Sequence, residues 1–176
     1  MDGSVPPGVP TDIYARIIRE ANKLGVKAIL DASGELLTKG IKAKPYLIKP
    51  NKVELEASYG EKLKTTEDIV RVARRAISAG VSCVCVSCGS EGALFITEDR
   101  FYEAAPIKVP IRGVQGAGDS MVAGFCYALM HGMEGKELFA HAVACATGSL
   151  LHPGTKLCEK TDMKAILKRV QIKKIS

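Results

Sequence analysis

The stretch Gln115–Phe125 reads QGAGDSMVAGF and joins a loop to a run of small and apolar residues. Its small residues let the backbone approach a ligand closely. The run after Asp119 predicts a helix, and the amide groups at a helix start attract anions. A carboxylate beside such an anion cradle suits phosphoryl transfer if Asp119 accepts a proton from a substrate hydroxyl while the amides hold the phosphoryl group.

A glycine-rich turn followed by Asp119 has a second interpretation, because aspartate is among the best residues for capping a helix start. The four residues GAGD alone favour neither reading, whereas the full string is far more specific. The chain contains neither the Walker pattern GxxxxGK(S/T) nor the motifs of protein kinases. From the residues alone, Asp119 is either a catalytic base or a helix cap.

Helical and strand-like segments alternate through the chain, which predicts parallel βαβ units. The predicted elements, in chain order, are a helix capped by Thr11, strands Val26–Leu30 and Tyr46–Lys49, a helix starting at Thr66, a strand Val81–Ser87, a hairpin of Ala93–Thr97 and Arg100–Ala104, and helices Gly118–His131, Gly135–Leu151 and Asp162–Val170. We expect an α/β fold, a three-layer α/β/α sandwich with a mainly parallel sheet, in one domain over residues 1–176.

The formal net charge of +6 is compatible with anionic ligands such as nucleotides and sugar phosphates. The charge is also compatible with nucleic-acid binding, but the basic residues are scattered along the chain and no motif of a known nucleic-acid-binding module accompanies them. No apolar run is long enough to span a bilayer, and Met1–Ser4 lacks the basic, then apolar pattern of a secretory leader. We therefore expect a cytoplasmic protein with no nucleic-acid or membrane partner.

The six cysteines include one CxxC pattern, Cys85–Cys88, which could indicate zinc or redox chemistry. No second CxxC stands at metal-site spacing. Cys83 and Cys85 alternate with valines, as small apolar residues do on a buried strand. The buried-strand interpretation is the stronger one.

Four segments, in order, are similar to the motifs of the PfkB/ribokinase family of carbohydrate kinases. They are GSVPPG at Gly3–Gly8, KPNKVEL at Lys49–Leu55, the Gln115–Phe125 string, and GSLLHPGTKLC at Gly148–Cys158. The resemblance implies a ribokinase-like fold, with this chain as its nucleotide-binding and catalytic portion. It also implies ATP and Mg²⁺ as cofactors, with K⁺ as a further candidate.

The resemblance assigns a role to each matching residue. Asp119 corresponds to the catalytic base, and Gly116, Ala117 and Gly118 correspond to the anion hole. Asn51 and Glu54 correspond to a pair that organises Mg²⁺ and phosphates, mostly through water, which suits the hard oxygen ligands that Mg²⁺ prefers. Without the resemblance, Asn51 reads as a turn residue and Glu54 as a first-turn helix carboxylate.

Further matches concern the nucleotide and the acceptor. Residues on the ATP side are Ser87, Gly89 and Gly92 in a loop along the nucleotide, and Ser149 and Gly154, whose carbonyl groups face the adenine or a monovalent cation. The loop also fits a plain β-turn. Ser4 corresponds to a sugar-phosphate contact.

Two features depart from the family pattern. Val114 stands where members commonly carry Thr or Ser, so a hydroxyl group that could steady the anion-hole loop is missing. The likeness covers only the C-terminal half of the family's length or slightly more, so the N-terminal sugar-binding part and its lid are expected to lie outside this chain.

The implied activity is ATP-dependent phosphorylation of a sugar phosphate, of the 6-phosphofructokinase, 1-phosphofructokinase or tagatose-6-phosphate kinase type. The alternative is a non-catalytic nucleotide-binding fragment of a split or truncated kinase gene. Sugar phosphate and ATP are the expected partners, with an N-terminal complementing chain or a homodimer as candidates.

Overall fold

The computed structural model describes residues 1–175. Its helices are α1 (Ile13–Lys23), α2 (Gly34–Ile41), α3 (Lys52–Tyr59), α4 (Thr66–Ser78), α5 (Ala117–Met130), α6 (Gly135–Ser149) and α7 (Lys160–Leu167). Its strands are β1 (Ile29–Leu30), β2 (Leu47–Ile48), β3 (Cys83–Ser87), β4 (Ala93–Thr97), β5 (Phe101–Ala104) and β6 (Ile172–Ile175). The chain divides into two compact units. The first consists of Met1–Gly89 with Leu94–Phe101, and the second consists of Ser90–Ala93 with Tyr102–Ile175.

Strands β1, β2 and β3 of the first unit pair in parallel. Leu47 of β2 aligns with Ile29 on one side and with Cys83 on the other, both in parallel register. The β1 and β2 strands and most of β3 are buried, as expected for parallel strands covered on both faces. The predicted strand at Val26–Leu30 is shorter than expected, because only Ile29–Leu30 has strand geometry.

Helix α4 follows its predicted pattern closely. The Thr65 hydroxyl accepts a hydrogen bond from the Asp68 amide, and the Asp68 carboxylate accepts one from the Thr65 amide, so a capping box starts the helix. Its four predicted inner residues, Ile69, Val72, Ala73 and Ala76, are all buried.

The start of α1 differs from the prediction. Asp12, not Thr11, occupies the cap position, and the Thr11 hydroxyl instead donates to the Glu35 carboxylate at 2.9 Å. The prediction that Thr11 caps α1 is therefore wrong, and the Thr11 hydroxyl group forms its hydrogen bond with a residue distant in sequence. Helix α2, which carries Glu35, has no counterpart among the predicted elements.

The second unit is built mainly on the contact between α5 and α6. A Cβ atom added at Gly124 of α5 would lie 2.7 Å from the Cα of Ala142 and 2.8 Å from the carbonyl oxygen of His141. Only glycine permits helices to approach this closely. The β6 strand was not predicted, and it lies beside β5, with the Ala105 amide donating to the Gln171 carbonyl at 3.4 Å.

Within residues 1–175, no helix combines the length and the apolar character that crossing a membrane requires. All six cysteines carry free thiols.

Candidate functional site

The predicted anion cradle lies at the start of α5. Gly116 is the cap residue, with φ of 76°, a left-handed conformation that side chains with a Cβ atom rarely adopt. Its carbonyl group accepts the Ser120 amide at 2.8 Å, which closes the first helical turn. The amides of Ala117, Gly118 and Asp119 therefore belong to the first turn, where helix geometry offers no carbonyl partner. These amides can hold an anion.

Asp119 lies in this first turn and is exposed. It does not act as the cap, because Gly116 occupies the cap position and no side chain caps the helix start. The capping interpretation of Asp119 is therefore wrong, and its carboxylate remains accessible for chemistry.

The loop before the cradle is held by a second segment of the same unit. The Arg112 amide donates to the Leu150 carbonyl at 2.8 Å. A Cβ atom at Gly113 would lie 2.6 Å from the carbonyl oxygen of His152, so only glycine fits there. Val114, which lacks the hydroxyl group usual in the family, is 68% exposed. Backbone contacts thus hold the loop where a side-chain hydroxyl is missing.

The same segment also contacts the cradle itself. A Cβ atom at Gly116 would lie 2.8 Å from Cδ2 of Leu157. The Cys158 amide donates to the hydroxyl group of Ser120, which is buried, at 3.3 Å. Gly148–Cys158 and the Gln115–Phe125 string therefore meet in one place.

Ser149 and Gly154 differ in what they can offer. The Ser149 side chain is buried and its hydroxyl group donates to the Ala146 carbonyl at 2.8 Å, while its own carbonyl accepts the His152 amide at 3.1 Å. Gly154 is exposed, with φ of 64°. Gly154 is the more accessible of the two for a nucleotide or a cation.

A carboxylate–imidazole pair lies behind this segment. His152 Nε2 is 2.7 Å from Asp162 Oδ2, and the Glu159 amide donates to the same oxygen at 3.1 Å. Partial burial works to raise the pKa of Asp162, but these hydrogen bonds outweigh burial and hold the pKa below its ordinary value. Asp162 thus ties α7 to the segment that contacts the cradle.

In the first unit, Asn51 and Glu54 form a capping box at the start of α3. The Glu54 amide donates to Asn51 Oδ1 and the Asn51 amide donates to Glu54 Oε2, both at 2.8 Å. Both side chains are only partly buried. A carboxylate has about four lone-pair sites, so Glu54 keeps acceptor capacity for a Mg²⁺-bound water. The donor set, an amide oxygen and a carboxylate, fits Mg²⁺.

Ser87 lies next to this pair. It is the last residue of β3, forms a parallel bridge with Asn51, and its amide donates to the Pro50 carbonyl at 3.1 Å. Three predicted site residues of the first unit, Asn51, Glu54 and Ser87, are therefore neighbours at the carboxyl end of adjacent strands. Ligands of open α/β sheets bind at such strand ends.

The remaining predicted residues lie in loops. Ser4 and Gly89 are exposed in the first unit, and Gly89 has φ of 58°. Gly92 belongs to the second unit, where a Cβ atom would collide with the carbonyl oxygen of Ala104. Close packing against the backbone therefore requires glycine at position 92, independently of any role in nucleotide binding.

A buried ion pair comes from residues that no local pattern joins. Lys49 Nζ lies 2.9 Å from Asp31 Oδ2, and the two side chains are only 6% and 13% exposed. These residues follow β2 and β1 directly, and the parallel register brings them together. The only signal in the sequence is a charged residue directly after each of two short apolar strands.

Cys83 and Cys85 are confirmed as residues of a buried strand, whereas Cys88 lies just beyond its end. Burial raises the pKa of Cys83 to about 12 and raises that of Cys85 as well. Within residues 1–175, no cysteine belongs to a group of three side chains placed to hold a metal ion.

Comparisons with known proteins agree with this arrangement of motifs. Residues 1–162 match the model for pfkB family carbohydrate kinases. The 1-phosphofructokinase of Haemophilus influenzae is 36% identical over 171 residues, which are 97% of this chain and 55% of that protein. The ATP-dependent 6-phosphofructokinase isozyme 2 of Escherichia coli is 32% identical over 168 residues, 94% of this chain and 54% of that protein.

A solved structure gives the same result. The crystal structure of phosphofructokinase-2 from Escherichia coli in complex with potassium matches with a TM-score of 0.89 and 32% identity, over 96% of this chain and 55% of that chain. This match confirms the predicted α/β, ribokinase-like fold class. The chain spans about 55% of the length of the relatives that it matches. Since the family model covers residues 1–162 of 176, the chain belongs to the pfkB family of carbohydrate kinases.

Proposed function

We propose that this chain supplies the phosphate-holding amides and the catalytic base for ATP-dependent phosphorylation of a sugar phosphate. The observation that carries the proposal is the exposed Asp119 carboxylate in the first turn of α5, beside the amides of Ala117 and Gly118. A base and an anion cradle in one helical turn are the two parts that phosphoryl transfer requires of a protein.

In this proposal the residues divide the work. The amides of the α5 start bind oxygen atoms of the transferred phosphoryl group, and Asp119 accepts the proton of the acceptor hydroxyl. Asn51 and Glu54 bind Mg²⁺ through water, and Ser87, Gly89 and Gly92 line the nucleotide. Bound Mg²⁺ would neutralise charge on the phosphates.

The proposed acceptor is a phosphorylated hexose such as fructose 6-phosphate, fructose 1-phosphate or tagatose 6-phosphate, with Ser4 as one contact. The names of the relatives support a phosphofructokinase. Backbone carbonyls of Ser149 and Gly154 are the proposed contacts for K⁺ or the adenine; a potassium complex of the E. coli relative supports this.

We further propose that turnover needs the remaining 45% or so of the family's length, on this polypeptide or on another, since transfer depends on holding donor and acceptor in line. A homodimer of the chain stays a prediction. Because the chain spans 55% of its relatives, the second candidate function is a non-catalytic nucleotide-binding fragment of a split or truncated kinase gene.

The test is an ADP-release assay with fructose 6-phosphate and with fructose 1-phosphate. It is run on the chain alone and after mixing with the N-terminal portion of the Haemophilus influenzae relative. We expect little turnover alone and measurable turnover in the mixture. Asp119→Asn should lower the rate of the mixture by about 10²–10⁴-fold, because the amide is a poor base. Affinity for Mg-ATP should persist, because the cradle is made of backbone.

Glu137→Gln is the matched control, since Glu137 is also a first-turn carboxylate, at the start of α6. Near-native turnover of Asp119→Asn would remove Asp119 as the base. Binding of Mg-ATP without turnover in any mixture would favour the non-catalytic fragment. A melting curve of each variant excludes unfolding as the cause.

A further inference from the structure

Two half-buried thiols meet beside the cradle-contacting segment. Cys145 lies on α6, and Cys158 lies in the loop that leads into α7. Cys145 and Gly148 lie three residues apart on α6 and so share one face of the helix, and the Cys158 sulfur lies over Gly148. Both cysteines pack against the buried cluster of Ala144, Met163 and Ile166.

The position of Cys158 is determined by its surroundings. Its amide donates to the Ser120 hydroxyl at 3.3 Å, and a Cβ atom at Gly148 would lie 2.5 Å from its Sγ atom. The absence of a side chain at Gly148 thus leaves the space that this sulfur occupies on the surface of α6. The Cys158 thiol also has the Glu159 carbonyl within 3.3 Å. Cys158 therefore lies against the helix that carries Cys145.

The two thiols differ chemically from the strand cysteines. Burial raises the pKa of Cys83 and Cys85, which makes them inert. The neighbouring Cys158 side chain instead lowers the pKa of Cys145, although partial burial opposes it. The thiolate is the form that attacks peroxides and disulfides. Cys145 is thus the attacking sulfur and Cys158 the neighbour that can resolve the product.

We propose that Cys145 and Cys158 form a reversible disulfide that fastens the Gly154–Cys158 segment to α6 beside the anion cradle. With hydrogen peroxide as oxidant, the Cys145 thiolate attacks one oxygen and becomes a sulfenic acid, releasing hydroxide. The Cys158 thiol then attacks the Cys145 sulfur, forming the S–S bond and releasing water. A dithiol reductant returns both thiols by exchange.

The disulfide would affect the loop that packs against the anion cradle. Leu157, which directly precedes Cys158, contacts the Gly116 position. The Cys158 amide donates a hydrogen bond to the Ser120 hydroxyl group. A covalent bond at Cys158 would restrict the loop that packs on the start of α5. This restriction is a property of the chain and does not depend on its being a kinase.

The test treats the full chain with hydrogen peroxide, blocks remaining thiols with iodoacetamide and digests with trypsin. Cleavage after Lys156 separates the two cysteines into peptides 137–156 and 157–160. We expect these peptides to be joined, and dithiothreitol to release them. Cys145→Ser and Cys158→Ser should each abolish the joined species. Cys126→Ser is the matched control, an exposed cysteine of α5, and should keep it.

Hydrogen exchange of the oxidised and reduced chain tests the restriction. We expect slower exchange at residues 154–158 after oxidation in the parent and in Cys126→Ser, and no change in Cys145→Ser. A sulfinic acid on Cys145 without the joined peptides, or a disulfide to another cysteine, would overturn the proposal. A Cys145–Cys158 disulfide with unchanged exchange would refute the restriction of the segment.

Discussion

Asn51 and Glu54 are joined by two reciprocal hydrogen bonds: the side-chain oxygen of each accepts the backbone amide of the other, with a nitrogen–oxygen distance of 2.8 Å. The hydrogen bonds that start α3 are therefore the same ones that orient the two oxygen donors proposed for Mg²⁺. A structural role and a metal-binding role do not exclude each other at this pair, and substitutions can separate them.

Glu54→Gln should keep the capping box, because glutamine also serves at this position, while removing the negative charge. We expect a nearly unchanged free energy of unfolding and Mg-ATP binding weaker by about tenfold or more, since hydrogen bonds to charged groups contribute about 1.5–3 kcal/mol. Isothermal titration and urea unfolding measure the two effects. Asp68→Asn in the second capping box of the same unit is the control. Equal Mg-ATP affinity in parent and Glu54→Gln would leave Glu54 with the capping role alone.

Lys49→Met should destabilise the first unit by about 3–5 kcal/mol, because it removes the Lys49 cation from the largely buried Asp31 carboxylate. The double variant Lys49→Met/Asp31→Leu should regain much of that loss, since both charges of the pair are then absent. Urea unfolding measures both. The exposed pair of Lys23 and Glu20 provides the control, and Lys23→Met should change little. A double variant no more stable than Lys49→Met would show that Asp31 is held by other contacts.

Gly124→Ala sets two effects of opposite sign against each other. Helix propensity alone would stabilise α5 by about 1 kcal/mol. The added Cβ atom would meet backbone atoms of Ala142 and His141, which cannot rotate away, and overpacking costs about 1–3 kcal/mol. We expect net destabilisation by thermal unfolding. Ala123→Gly on the exposed face of α5 measures propensity alone. A Gly124→Ala variant more stable than the parent would mean that α5 and α6 separate easily.

Asp162→Asn should destabilise the second unit by about 1 kcal/mol at pH 7, the usual size of one hydrogen bond. The pKa of Asp162 is lowered in the folded chain, so its contribution is fully present above the ordinary Asp pKa of about 3.9. That contribution is lost as the pH falls through the lower, folded-state pKa. The difference between Asp162→Asn and the parent should therefore shrink below about pH 4.

Urea unfolding at several pH values measures this dependence. The control is Asp99→Asn in the exposed turn between β4 and β5. If the stability difference between the parent and Asp162→Asn stays constant at the lowest pH measured, Asp162 stabilises the fold through the packing of its side chain and not through its charge.

Local features of the fold could be predicted from the sequence. The inner face of α4 follows from 3.6-residue spacing, and the cradle from small residues before a helical run, because both depend on contacts within a few residues. The four motif segments, by their likeness to a family, gave the fold class and most candidate site residues. The cap of α1 was harder to predict, because Thr11 and Asp12 are adjacent and both residue types suit a cap; in the structure the Thr11 hydroxyl binds Glu35, far along the chain.

The sequence by itself determined the α/β class, the family and the cradle with its aspartate, since these depend on residue type, order and short-range spacing. Tertiary structure decided which side chains already have partners. It paired Lys49 with Asp31, and it brought Cys145 and Cys158 to the same buried cluster. Each of these outcomes depends on strand register or helix packing, which bring together side chains that no local pattern relates.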